Sequence, residues 1–217
     1  MSVAEERRGI PFVVAAPSGT GKTTVCRRVV ASDDNVVFSV SHTTRARRNG
    51  ERDGVDYHFA SLEEFERLAA SGAFLEWAVY NGNHYGTSWE SIDTPLAAGR
   101  DVLLEIEVQG AGQVRERRED ARFIFLMPPS MKLLEARLQG RGTDSPEQVR
   151  NRLRLAREEL AAVRNFDYAV VNDELERCVA AVREILASER RGDTGEIRRR
   201  FAPAAAAANF EAEEVRP

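Results

Sequence analysis

Residues 10–30 read IPFVVAAPSGTGKTTVCRRVV, and the order of the parts within this stretch decides the fold. An apolar run comes first and is bounded by turn-forming residues, the pattern of a buried strand. Glycines, small hydroxyl residues and one lysine follow, and an amphipathic run of helical period closes the stretch. In its middle, Ala16-Pro17-Ser18-Gly19-Thr20-Gly21-Lys22-Thr23 fits the phosphate-loop pattern G-x-x-x-x-G-K-[ST], with alanine in place of the first glycine. Gly19 and Gly21 let the backbone turn so that successive N–H groups face one oxyanion, and the helix starting near Lys22 adds its positive end. Lys22 is expected to bridge the outer two phosphates, and the Thr23 hydroxyl to ligate magnesium. The stretch therefore predicts a nucleoside triphosphate site.

Outward from this loop the chain alternates strand and helix. Strands are predicted over 10–16, 36–40, 101–106, 122–127 and 168–171, and helices over 22–31, 110–119, 130–139 and 145–163. The helix at 145 opens on Ser145 with Pro146 first and Gln148 third, and carries an apolar stripe at Val149, Leu153, Ala156, Leu160 and Val163. A last helix presents Leu175, Cys178, Val182 and Leu186. Such alternation predicts an α/β fold, a parallel sheet flanked by helices on both faces. Residues 41–100 break the pattern with a polar loop, a short alternating stretch at 55–59, a helix opened by a Ser61/Glu64 capping box and a strand over 73–80, and read as an insertion. Beyond Ser188 the segment RRGDTGEIRRRFAPAAAAANFEAEEVRP is charged, then alanine-rich, then acidic, so residues 191–217 are expected to be a solvated, disordered tail, partly helical at most. Residues 1–9 are an N-terminal tail on this reading.

At 217 residues the chain is one medium domain, and its 42% hydrophobic and 30% charged content is that of an ordinary globular protein. A net charge of −4 argues against a nucleic-acid partner. No apolar run reaches the ~18 residues of a membrane span, and the opening MSVAEERRG lacks a signal-peptide core, so no membrane partner and a cytoplasmic location are expected. Cys26 and Cys178 fall on apolar helix faces and read as buried thiols. Of the 31 basic residues only Lys22 and Lys132 are lysine, so a chain that builds its cations from arginine departs from that habit inside the phosphate loop, where a compact ammonium is wanted.

A second cluster, SVSHTTRARRNGERDGVDYHF at 39–59, sets Ser41, Arg45, Arg48 and Tyr57 in a polar loop beyond the second strand. Two guanidinium forks and a phenol hydroxyl suit a separate phosphate group.

Together with GAFLEWAVYNGNHYGTS, GRDVLLEIEVQGAGQVR and LQGRGTDSPEQVRNRL, these stretches resemble the guanylate kinase family in order and spacing over about residues 10–190. The resemblance implies ATP + GMP giving ADP + GDP, with dGMP as a further substrate, a GMP-binding insertion at about 41–100 and a helical lid at about 128–160. It implies that Ala16, Pro17, Ser18, Gly19, Thr20, Gly21, Lys22, Thr23 and Thr24, with Arg137 and Asn172, hold ATP, with Mg2+ on Thr23. Arg45, Arg48, Tyr57 and Tyr85 would hold the GMP phosphate. Glu76 would accept the N1–H and N2–H donors of guanine, supported by Ser41 and Thr87. Adenine lacks both donors and would leave a buried acceptor unpaired, at a cost of about 1–3 kcal/mol or more. Glu105 and Glu107 would sit on one face at the end of the third long strand, near guanine and magnesium; Glu107 stands where the family usually has aspartate. Lys22, Arg45, Arg141 and Arg152 would handle charge on the moving phosphoryl group, Arg141 and Arg152 arriving with the lid, with Gly140 and Gly142 as its hinge. Two alternatives stay open: a guanylate kinase-like module that binds phosphopeptides without catalysis, and a related sugar-phosphate kinase.

Overall fold

The computed structural model describes residues 7–80, 82–140 and 145–214. In chain order its elements are β1 (Pro11–Ala15), α1 (Lys22–Ala31), β2 (Val36–Phe38), β3 (His42–Thr43), β4 (His58–Phe59), α2 (Leu62–Ala70), β5 (Phe74–Tyr80), β6 (Asn83–Ser88) and α3 (Glu90–Ala97). They continue with β7 (Asp101–Glu105), α4 (Val108–Arg117), β8 (Arg122–Met127), α5 (Met131–Gln139), α6 (Pro146–Ala161), a 3-10 turn (Ala162–Asn165), β9 (Tyr168–Val171), α7 (Leu175–Arg191), α8 (Gly195–Arg200) and α9 (Pro203–Glu214).

Five strands form a parallel sheet in the order β2-β7-β1-β8-β9, with β1 at its centre. The strand alternation sorts side chains to two cores. Val13, Ala15, Val102, Leu104, Phe123 and Phe125 pack with residues of α3, α4, α5 and α6 on one face. Phe12, Val14, Leu103, Ile124 and Leu126 pack with Val25, Cys26 and Val29 of α1 and Cys178, Val182 and Leu186 of α7 on the other. Both cysteines are buried free thiols there. Full burial of each such apolar side chain stabilises the fold by roughly 1.5–3 kcal/mol, so the phosphate loop follows a strand anchored in both cores. The insertion forms a separate four-stranded sheet, β4-β3-β6-β5, whose only parallel pair is β3 with β4.

Element ends differ from expectation where side chains, rather than periodicity, decide them. The second strand stops at Phe38, the alternating 55–59 stretch pairs only at His58–Phe59, and α4 starts at Val108, two residues earlier than expected. Ser61 caps α2 by accepting from the Glu64 amide, whereas Ser145 and Gln148 cap α6 reciprocally. The segment 128–160, expected to be helical, holds α5 and nearly all of α6.

The reading of 191–217 as a solvated tail is corrected over the described residues, which end at Glu214, by α8 and α9. Ile197 is buried in the α1/α7 core with Phe201 against it, and Ala207 is buried in the opposite core with Ala206 and Phe210 against it. The Phe201 carbonyl accepts from the Ala169 amide of β9 at 2.9 Å, and Glu214 Oε1 accepts from the Met131 amide at 2.7 Å. Edge strand β9 needs cover, and a run of alanines is a strong helix former that can approach it closely. Of the expected N-terminal tail, residues 7–9 are described and are tied down: the Gly9 amide donates to the Leu96 carbonyl at 2.9 Å and Arg7 pairs with buried Asp101. Among the described residues no helix is long and apolar enough to cross a membrane.

Candidate active site

The carboxyl ends of β1 and β7, where ligands gather in open parallel sheets, open into a cavity of about 530 Å3. A larger hollow of about 680 Å3 lies between α7 and the α8–α9 segment, but it is walled by Ala, Phe and scattered charges and holds none of the expected residues. The smaller cavity gathers the chemistry.

One wall is the loop between β1 and α1. Gly19 and Gly21 stand at φ +92° and +96°, a region that L side chains rarely adopt, and a Cβ on Gly21 would come within 2.8 Å of Asn172 Nδ2. Lys22, the first residue of α1, sends its ammonium across to the end of β7, donating to the Ile106 carbonyl at 2.7 Å and lying 3.4 Å from Glu107 Oε1. Burial alone would lower the Lys22 pKa, but the Glu107 and Glu105 carboxylates outweigh it and hold it above the ordinary lysine value. The Thr23 hydroxyl donates to Glu105 Oε1. Glu105 ends β7, and Glu107, beyond buried Ile106, occupies the N-cap position of α4 with an extended backbone (φ −81°, ψ 162°) and no side-chain capping bond. Only the strand end differs from expectation: both carboxylates reach the cavity and Lys22. Among the described residues no cluster of three or more His, Cys, Asp or Glu could hold a metal ion.

The opposite wall comes from the insertion. Glu76 on β5 is only 5% exposed, and a register shift between Phe74 and Glu76 breaks the strand alternation so that Phe74, Leu75 and Glu76 are all buried. Thr87 Oγ1 donates to Glu76 Oε1 at 2.5 Å, and Ser41 Oγ lies 3.1 Å from the same Thr87 hydroxyl. Burial pushes the Glu76 carboxyl up to about 7 against the opposing Thr87 hydrogen bonds. α4 brackets it: Gln113 exchanges hydrogen bonds with the Trp77 backbone, donating to its carbonyl at 2.8 Å, and Arg117 Nη1 donates to the Leu75 carbonyl at 2.6 Å. Gly110 leaves room for the carboxylate, since a Cβ there would stand 2.5 Å from Glu76 Oε2.

Arg45 and Tyr57 face the same cavity with Arg48 and Tyr85. Arg45 makes a two-pronged ion pair with Glu51, at 2.7 and 3.1 Å, and Glu51 also accepts from the Arg48 amide at 2.7 Å. The Glu51 hydrogen bond raises the Arg45 pKa further, so its charge is permanent. The Arg45 guanidinium stands 5.3 Å from the Tyr57 ring centre, and the Tyr57 and Tyr85 rings lie 6.1 Å apart.

Ala16, Pro17, Ser18, Gly19, Gly21, Lys22, Thr23, Thr24, Ser41, Arg45, Arg48, Tyr57, Glu76, Tyr85, Glu105, Glu107 and Arg152 all line this cavity. Thr87 sits behind Glu76, fully buried. Thr20, Arg137 and Asn172 lie behind the loop rather than in the wall: Asn172 Nδ2 donates to the Thr20 carbonyl at 2.7 Å, and Arg137 donates to the Asn172 carbonyl at 3.0 Å. Arg152 Nη2 donates to Ser18 Oγ at 2.6 Å. Arg141, with Gly142, lies outside the described residues. Sequence reasoning missed Glu51, Gln113 and Arg117. The spacing of Glu51 six and three residues after Arg45 and Arg48 was the available signal for the first, whereas the α4 contacts join segments some 40 residues apart and leave none.

The family model described as guanylate kinase matches residues 8–189. The guanylate kinase of Neisseria meningitidis serogroup A is 52% identical over 180 residues, covering 83% of this chain and 88% of that protein. That of Halalkalibacterium halodurans is 45% identical over 185 residues, covering 85% and 91%. The crystal structure of guanylate kinase from Anaplasma phagocytophilum aligns at a TM-score of 0.70 and 36% identity, over 85% of this chain and 87% of that one.

Proposed function

The chain belongs to the guanylate kinase family, and from that premise we propose that it moves the terminal phosphoryl group of ATP to GMP, giving ADP and GDP. The observation that supports this most is the pairing within one cavity of a phosphate loop bearing Lys22 with a buried carboxylate, Glu76, beside Arg45 and Arg48. Glu76 accepts the two donors on the guanine edge, with Thr87 and Ser41 holding its orientation. The residues named read the base edge and the phosphate, so dGMP is accepted as well. As a step of purine nucleotide metabolism the reaction belongs in the cytoplasm, where both substrates are supplied.

The acceptor phosphate is already largely ionised near neutral pH, so no general base is required. An oxygen of GMP attacks the terminal phosphorus of ATP, the bond to the bridging oxygen breaks, and ADP leaves with that electron pair. Lys22 offsets charge on the donor side and Arg45 on the acceptor side, while Tyr57 and Arg48 fix the acceptor phosphate; Arg141 and Arg152 add charge from the lid. Alignment and electrostatic balance carry most of the acceleration in such transfers. Arg137 and Asn172 act at the ATP side by bracing the loop at Thr20.

The Thr23 hydroxyl and the Glu105 and Glu107 carboxylates form an all-oxygen donor set next to the phosphate loop, which fits magnesium, a hard cation that takes most of its ligands from water and phosphate. Two carboxylates facing bound phosphates would otherwise repel them. When bound there, magnesium supplies charge neutralisation to the phosphate oxygens.

A coupled assay of ADP release with ATP and magnesium, offering GMP, dGMP, AMP, CMP, UMP and ribose bisphosphate in turn, tests the reading. Turnover with GMP and dGMP alone is expected, with Glu76→Ala losing it. GMP binding without turnover would make the protein a binding module, and turnover of the sugar phosphate would make it a sugar-phosphate kinase.

A further inference from the structure

β5 is the end strand of the inserted sheet, next to β6. Its ladder is irregular at the residue that matters: the register shifts between Phe74 and Glu76, and at such a bulge the neighbouring strand no longer fixes every backbone group. α4 supplies partners on both sides of Glu76. Arg117 Nη1 donates to the Leu75 carbonyl at 2.6 Å and to the Phe74 carbonyl at 3.4 Å. Gln113 Nε2 donates to the Trp77 carbonyl at 2.8 Å, and Gln113 Oε1 accepts from the Trp77 amide at 3.3 Å. A glutamine side chain carries the same donor and acceptor as a peptide group, so Gln113 takes the place of one residue of a further strand along this edge. Gly110, Gln113 and Arg117 recur at helical spacing and form one face of α4. Glu76 lies between the two backbone anchors, with its Oε2 against Gly110.

We propose that Gln113 is a positioning residue for the acceptor nucleotide: with Arg117 it pins the β5 backbone on either side of Glu76, so that the carboxylate stands where it takes both donors of the guanine edge. The inference rests on the reading of Glu76 as the guanine acceptor. Two parallel hydrogen bonds to one carboxylate demand orientation as well as distance. Thr87 holds one carboxylate oxygen, but the direction in which the Glu76 side chain leaves β5 follows the backbone, and there the bulge leaves the hold to α4. Anchoring that backbone before the ligand arrives lowers the ordering cost that falls on binding. Neither Gln113 nor Arg117 lines the cavity, so both act through Glu76. The hydrogen bonds of both run to β5 and not to the phosphate loop, which confines their effect to one substrate.

The test measures GMP and ADP affinity by calorimetry in the wild type, Gln113→Met, Glu76→Gln and the double variant, with kcat/KM for GMP and for AMP alongside. Methionine matches glutamine in length but offers Trp77 neither donor nor acceptor. Gln113→Met is expected to bind GMP about tenfold more weakly and to lose a similar factor in its preference for GMP over AMP, with ADP affinity moving less than about twofold. Because the effect passes through the Glu76 carboxylate, adding Gln113→Met to Glu76→Gln should weaken GMP by less than about threefold. A merely structural role would lower stability without that dependence on Glu76. Should Gln113→Met not fold, Arg117→Met, at an exposed position, replaces it with the same expectations. GMP affinity within about twofold of the wild type, ADP weakened as much as GMP, or an undiminished loss in the Glu76→Gln chain would each overturn the proposal. A Glu76→Gln chain that binds GMP as tightly as the wild type would instead overturn the reading on which it rests.

Discussion

Lys22 sits in a nearly enclosed position, and Glu107 and Glu105 facing it outweigh the burial that would lower its pKa. Its removal would leave two carboxylates confronting the phosphates with no ammonium between them. Lys22→Ala is expected to lower kcat at least about 100-fold while the GMP KM changes less than about threefold; equal losses in steady-state kinetics would count against the donor-side role. Glu76 has the opposite problem, an acid held up to about 7 by burial. Guanine needs its ionised form, so the GMP KM should rise as pH falls below about 7 and level off above it, and Glu76→Gln should lose that Glu76 component. The sign for stability follows from the same shift: the folded value lies above the ordinary 4.5, so the folded protein holds the proton more tightly and loses stability as pH rises from about 4.5 to about 7. Glu76→Gln should thus be more stable than the wild type at about pH 8, by up to about 3 kcal/mol, and not at about pH 4. Urea titrations at the two pH values read the difference. Such a carboxylate, costly to the fold and aimed at a ligand, marks function.

Helices and strands show where local sequence suffices. α1 matches its expected span because glycine before it and the turn at Ser32 after it are local signals, and α6 starts at a Ser-Pro-x-Gln cap that needs no tertiary help. Glu107 lies past the end of β7, yet its backbone stays extended, so it still faces the cavity with Glu105. The last two helices escaped the sequence reading: α8 (GEIRRR) offers only Ile197 to bury, and the alanine run of α9 has no apolar stripe until the edge of β9 and the start of α5 cover it. Truncation after Arg191 removes that cover from both cores. We expect it to lower Tm by at least about 5 °C in a thermal scan, and an unchanged Tm would return 191–217 to the status of a solvated tail.

At the scale of the molecule, the two walls of the site stand on different scaffolds, the loop on the central parallel sheet and Glu76 on the inserted sheet, and meet across one cavity. Each ligand stabilises the state that binds it, so GMP and a non-hydrolysable ATP analogue, each at about 100 times its Kd, should each contribute about 2.7 kcal/mol. Together they should raise Tm by at least the sum of the separate shifts; a combined shift equal to that of one ligand alone would mean that the two compete for one site. The sequence by itself determined the phosphate loop, the strand–helix alternation and the insertion, because periodicity, glycine placement and cap chemistry are properties of neighbours along the chain; Glu76, Tyr85 and Arg152 as cavity residues came from its resemblance to the guanylate kinase family. The tertiary structure alone decided that Glu51 orients Arg45, that α4 brackets and makes room for Glu76, that Asn172 braces the loop from behind, and that α9 closes the sheet edge. Those are contacts between segments distant in sequence, where burial and charge pairing arise only once the chain has folded.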